Sequence, residues 1–221
     1  MNNIILIIAE VIVCYIVMTF LVKKYKEDGL YIYAIIATLA SCIMTLKRIS
    51  IMGINIPVGF GATTSLIIGG NLITQQKGKE ELRRYLAIIF LSAIIGFSYL
   101  NLSGLVKSSE YNFLANESYS NIFKYNLRVY IALIISLIIS IWSSSKIYYL
   151  LKRIYNKLII SNIFSIVIIE LFENILFVLI AFLFENSFED IILCTIFRYI
   201  IKSIIGIIGT IPLYAINKIN K

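Results

Sequence analysis

The chain has 221 residues, 60% of them hydrophobic and only 14% charged, with a mean hydropathy of +0.91. Soluble domains carry ~45–50% apolar and ~25% charged residues, so an ordinary soluble domain is excluded and a single integral membrane domain over residues 1–221 is expected. The net charge of +8 does not argue for nucleic acid as a partner, because the basic residues sit in short loops between apolar runs, where membrane topology places them.

Each apolar run approaches the ~20 residues a spanning helix needs, and hydropathy gives seven, at 3–22, 30–46, 54–74, 85–106, 127–151, 158–184 and 191–216. The first has no small-residue cleavage site after it and reads as a retained helix rather than a signal peptide. It carries Glu10. The third is the weakest, since "GINIPVGFGATTSLIIGG" holds a proline, five glycines and several hydroxyls. A broken or partly unwound helix is expected there, which membrane proteins tolerate only against protein or a watery cavity. After the fourth comes the longest connection, 107–126, with an "NES" triplet that matches a glycosylation acceptor but is common by chance. The fifth opens with Arg128, the sixth holds Glu170 and Glu173, and the seventh holds Arg198 and Lys202. Pro57 and Pro212 are the candidate kinks.

With the N-terminus outside, the cytoplasmic loops and C-terminus would hold 13 lysines and arginines against 4 outside. That asymmetry is what the positive-inside rule predicts, so a multi-pass chain with N-terminus out and C-terminus in is expected. Cys14, Cys42 and Cys194 all lie in apolar runs, an odd and scattered set that suits neither a disulfide framework nor a zinc site. Histidine, the commonest metal ligand, is absent.

Six ionisable residues fall inside apolar runs: Glu10, Arg128, Glu170, Glu173, Arg198 and Lys202. Such groups cost roughly 2.5–3.5 kcal/mol each on insertion scales and normally face a partner or cavity. Three acids balance three bases. Glu170, Glu173 and Asn174 share a helix face, as do Arg198 and Lys202, because residues three or four apart are neighbours. The sixth and seventh helices are joined by the short turn "ENSFED" and must run antiparallel. Equal counts from that turn put Glu173 and Lys202 at the same depth, ~14 residues and so ~21 Å from it, with Arg198 level with Phe177. The acids are thus expected to be held by bases on the next helix, either as a ligand site or as a pair that only fixes register.

The motifs of catalysis are missing. No GxxxxGK[ST], HExxH, GxSxG or CxxC occurs; "QQKGKEE" lacks both the glycine spacing and the hydroxyl of a P-loop. The chain is read as no enzyme, with no cofactor and no ATP site of its own.

The stretches "YKEDGLYIYAIIATLASCIMTLKRISIMGINIPVG" and "NLITQQKGKEELRR" resemble the queuosine precursor transporter family, also called the vitamin uptake transporter family. Lys47 matches the lysine that ends a helix in the family, Met52 and Gly53 its "F-G", and Asn71, Gln75 and Gly78 its Asp-x-x-x-Glu-x-x-Gly. "NIFSIVIIELFENILFVLIAF" is similar to a later motif through Asn162, Ser165, Phe177, Ala181 and Phe182, with Glu173 and Asn174 where the family has Asp-Thr. "YIIKSIIGIIGTIPLYAI" matches through Tyr199, Lys202, Pro212 and Tyr214. The chain departs from the pattern at Asn71 and Gln75, and also at Cys42, Ser161, Ile139 and Ser140, where the family has an asparagine, an arginine and a His-Asp pair.

The resemblance implies a six-helix core like that of the substrate-binding subunits of energy-coupling-factor transporters, here with one extra N-terminal helix. It also implies a transporter domain that takes a queuosine precursor of the 7-deazaguanine type, or a similar flat polar metabolite, across the bacterial cytoplasmic membrane. The substrate would sit between the second, third, sixth and seventh helices, on Glu173, Asn174, Lys202, Asn71, Gln75 and Lys47. Two alternatives stay open: a non-transporting immunity, regulatory or partner protein on the same fold, and a substrate-binding subunit that works with an energy-coupling ATPase complex.

Overall fold

The computed structural model describes residues 3–26, 28–106, 117–118 and 127–219, with 213–219 described by backbone alone. Among them, in chain order, are α1 (Asn3–Tyr25), α2 (Asp28–Met44), β1 (Arg48–Ile51), β2 (Ile54–Pro57), α3 (Phe60–Lys77), α4 (Lys79–Leu105), α5 (Leu127–Tyr155), α6 (Leu158–Phe182) and α7 (Phe188–Ile219). Five helices are long and apolar enough to cross a bilayer: α1, α4, α5, α6 and the Phe188–Pro212 part of α7. The chain is an all-α polytopic membrane protein. The connection 107–126, with its "NES" triplet, lies outside the described residues apart from Glu117 and Ser118.

The outer faces of the long helices are apolar. On α7, Ile192, Ile196, Ile200, Ile204, Ile207 and Ile211 are exposed at helical spacing, while Arg198, Lys202 and Ile205 point inward. This inverts a soluble helix: apolar groups face outward to lipid, and the polar ones need protein partners.

α3 is the hub. It touches all six other helices, and every residue from 60 to 74 is buried. Here the structure corrects the expectation of a broken helix. Residues 54–57 form a strand, and α3 then runs without interruption from Phe60 to Lys77. Its hydroxyls do not unwind it, because three of the four bond back to carbonyls three or four residues earlier in the chain. Thr63 Oγ1 donates to Gly59 O at 2.9 Å, Ser65 Oγ to Ala62 O at 2.8 Å and Thr74 Oγ1 to Gly70 O at 2.8 Å. Nor do the glycines break it. A Cβ on Gly69 would stand 2.3 Å from Tyr85 Oη, and one on Gly70 2.5 Å from Ile141 Cγ2. They are small because α4 and α5 press against them, as close-packed membrane helices require.

The irregular backbone lies just before α3. β1 and β2 form an antiparallel hairpin that pairs Arg48 with Pro57 and Ile51 with Ile54. Met52 (φ 53°) and Gly53 (φ 82°) turn it, the two positive φ values being what a tight two-residue hairpin turn demands. Val58 N–H donates to Lys47 O at 3.0 Å and closes its base. Pro57 therefore ends a strand rather than kinking a helix, whereas Pro212 does lie inside α7.

Two sets of contacts mark the ends of the bundle. At one end, Asn3 Nδ2 donates to Ser50 O at 3.3 Å, and Glu185 in the α6–α7 turn lies 3.7 Å from Arg48 and 3.8 Å from Arg128. Arg128 Nε donates to Ile180 O at 2.6 Å, and its side chain is 37% exposed. It sits at this rim and not at membrane depth, so the expected balance of three acids and three bases does not describe the core. At the other end, Tyr31 at the start of α2 bonds Glu81 at the start of α4, and Tyr148 of α5 donates to Gln75 near the end of α3 at 2.5 Å. Helices consecutive in the chain thus alternate in direction. α2 and α3, ~25–27 Å long at 1.5 Å per residue, run between the same two ends. The "ENSFED" turn closes with Ser187, which caps α7 by accepting from Asp190 N–H at 3.2 Å while donating to its carboxylate at 2.6 Å.

Candidate functional site: a buried ionic cluster

α6 carries Glu170, Glu173, Asn174 and Phe177 on one buried face, and α7 turns Arg198 and Lys202 toward it. Lys202 Nζ donates to Glu173 Oε2 at 2.6 Å and lies 2.8 Å from Glu170 Oε2, with all three side chains at 0% exposure. The antiparallel count from the α6–α7 turn therefore found the right partners. It also found Arg198 beside Phe177, whose ring centroid is 4.2 Å from the guanidinium carbon.

Arg198 Nε donates to Asn174 Oδ1 at 2.9 Å, and its Nη2 lies 3.8 Å from Glu173 Oε2. The ring of Phe60, at the start of α3, approaches it at 5.7 Å. Asn174 Nδ2 turns back to the Glu170 carbonyl at 2.6 Å and its carboxylate at 3.4 Å. Two hydroxyls complete the shell: Thr64 of α3 donates to Glu170 Oε1 at 2.8 Å and Ser136 of α5 to Glu173 Oε1 at 3.4 Å. Two cations thus neutralise two carboxylates where four helices meet, an arrangement that lets charge persist away from water. One group is left over. Arg198 Nη1 is buried and has no hydrogen-bond partner.

The other expected site residues stand elsewhere. Asn71, two turns along α3 from Thr64, donates to Asn162 Oδ1 at 3.0 Å and Ser165 Oγ at 3.2 Å, and accepts from Ser144 Oγ at 3.0 Å. Asn162 passes the chain on to Thr210 Oγ1 at 3.0 Å, so this network joins α3, α5, α6 and α7. Gln75 lines a cavity of about 270 Å³ at the α3–α4 end with Tyr148, Lys152 and Arg153. Lys47 follows α2 rather than ending it and lines a cavity of about 300 Å³ at the hairpin end with Asn3, Glu10 and Val58. α2 supplies none of the contacts of the ionic cluster, and α5 takes the place expected for it. Ile139 is 47% exposed and faces outward, while Cys42, Ser140 and Ser161 are buried.

Glu10 solves a different problem. The residue before α3 is Gly59, which offers no side-chain cap. The Glu10 carboxylate on α1 accepts from Gly61 N–H at 2.9 Å and Ala62 N–H at 3.3 Å, satisfying two orphan donors where the helix dipole favours negative charge. Its partner is backbone, and no pairing of acids with bases could have found it. Thr64, Ser136 and the capping role of Glu10 were all missed in the sequence. Only the last had a signal, a lone acid in an apolar helix that needs some partner.

Residues 57–216 match the family model described as "putative vitamin uptake transporter". The chain belongs to this family. No curated protein and no solved structure matches it. The matched stretch takes in α3 to α6 and most of α7, and with them Thr64, Ser136, Glu170, Glu173, Asn174, Arg198 and Lys202. α1, α2 and Lys47 precede it. For a vitamin uptake transporter the partners are a small-molecule substrate and a membrane, and the activity is transport.

Proposed function

We propose that this vitamin uptake transporter imports a small, flat, polar metabolite, most simply a queuosine precursor of the 7-deazaguanine type, across a bacterial cytoplasmic membrane. The observation that carries this reading is Arg198: a guanidinium lying against Phe177, inside a neutral cluster, with one buried N–H₂ group unused. A ring carbonyl could accept from that group while the ring lies along the aromatic wall. Glu173 could accept from a ring or exocyclic N–H, as carboxylates do with such donors. Asn174 would read an adjacent edge, and Lys202 would keep the site neutral. Gln75 and Lys47 line cavities at opposite ends of α3 and would serve as points of entry and exit, with Asn71 holding the helices around the route between them.

Uptake of labelled 7-deazaguanine precursor tests this in a strain lacking both its own importer and the biosynthetic route. Time-dependent accumulation above the vector control is expected. No accumulation by chain that has reached the membrane would reject this substrate.

For orientation we propose N-terminus out and C-terminus in, with all seven helices crossing, on the strength of the basic bias of 13 against 4. Single cysteines at Lys79 and Phe188, in a chain whose three native cysteines are replaced by alanine, should label from inside and outside respectively. Labelling of both from the same side would overturn the topology.

A further inference from the structure

A cleft between α4 and α5 adjoins the Gln75 cavity, sharing Tyr149 with it, and contains no residue of the ionic cluster. It holds about 440 Å³ and is lined by Lys79, Arg83 and Lys146, with Trp142 and Tyr149 among its walls and no acidic residue. None of the three cations has a carboxylate within ion-pair distance among the described residues, whereas the neighbouring Arg84 pairs with Glu81 at 3.8 Å. Lys146 Nζ instead sits 3.1 Å from the centroid of the Trp142 ring. The floor holds a further polar group, Ser145 Oγ, buried and without a hydrogen-bond partner.

The position of the cleft decides what it fits. Trp142 is 48% exposed and continues the outward stripe of Ile131, Ile135 and Ile139 on α5. The cleft therefore opens onto the apolar, lipid-facing side of the molecule. Its cations lie at the end of the bundle where α4 begins, so they stand at the level of the membrane interface. Tryptophan and tyrosine favour that level, and basic clefts between helices there receive anionic lipid headgroups. An acidic soluble partner would not need the apolar opening, and a free anion would not use the exposed aromatic wall.

We infer that the α4–α5 cleft is a seat for an anionic phospholipid, its phosphodiester among Lys79, Arg83 and Lys146 and its first acyl carbons against Trp142 and Leu82. The inference stands apart from the identity of the transported metabolite.

Native mass spectrometry of the purified full chain tests it, with phosphatidylglycerol and phosphatidylcholine of matched acyl chains as probes. Phosphatidylglycerol should be retained at least about tenfold better. Neutralising all three cations, K79Q/R83Q/K146Q, should abolish that preference, since each basic residue near an anionic headgroup contributes about fivefold. The charge-keeping K79R/R83K/K146R should retain it. Equal retention of the two lipids by the wild type, or an undiminished preference in the neutral variant, would overturn the proposal. So would displacement of phosphatidylglycerol by millimolar inorganic phosphate, which would mark a free-anion site. If the neutral variant melts early, the wild-type preference and the phosphate competition decide.

Discussion

Lys202→Met should cost the folded protein about 3–5 kcal/mol, the usual penalty for leaving a buried charge uncompensated. Among the described residues, Lys202 is the sole base within hydrogen-bond distance of both Glu170 and Glu173. Without it, Glu173 keeps only the more distant Arg198 guanidinium at 3.8 Å, and Glu170 loses its ion pair. Neutrality returns in Lys202→Met with Glu170→Gln, where the amide oxygen can still accept from Thr64. That double variant should recover most of the loss. Pairing Lys202→Met with Glu173→Gln should recover less, because the remaining Glu170 has no ion pair to Arg198. Melting of the purified protein in detergent and folded yield report all three. If the first double variant equals the sum of its singles, the three side chains do not act as a unit. The same geometry rules out a simple exchange of Glu173 and Lys202. The new lysine would lie beside Arg198 and the new glutamate beside Glu170, so the exchanged cluster would contain two like-charge contacts.

Arg198→Lys should lower uptake about ten- to a hundredfold per folded molecule while keeping the cluster neutral. Lysine retains the charge but loses the planar fork and the stacking on Phe177, so the substitution is not conservative here. The donor that Nη1 offers to a ligand disappears with it. A missing buried hydrogen bond costs about 1–3 kcal/mol, and the middle of that range is about ten- to a hundredfold in affinity. A role confined to fixing helix register gives a different result: uptake would fall only in step with the amount of folded protein. Undiminished uptake per folded molecule would remove Arg198 from the ligand site and leave the cluster as structure.

The apolar runs, their number and the pairing of α6 with α7 were legible in the sequence because each follows from local spacing. The lipid-facing stripe of α7 is a four-residue rhythm of isoleucines, and a short turn forces antiparallel neighbours into register. So Glu173 met Lys202 at 2.6 Å, as equal counting from that turn requires. Tertiary structure alone decided what lies across the bundle. "GATTS" reads as a weak helix because glycine and threonine have low intrinsic propensity. Enclosure by six other helices reverses this, since a membrane interior offers unpaired backbone no water and small residues allow close approach. For the same reason a glutamate on α1 caps α3, 51 positions away. Thr64 and Ser136 reach the acids of α6 across 106 and 37 positions. No spacing rule links residues so far apart in the chain, because their proximity is set by which helix faces which. Those same long-range contacts leave Arg198 Nη1 buried and without a hydrogen-bond partner, and on that group the proposed ligand site rests.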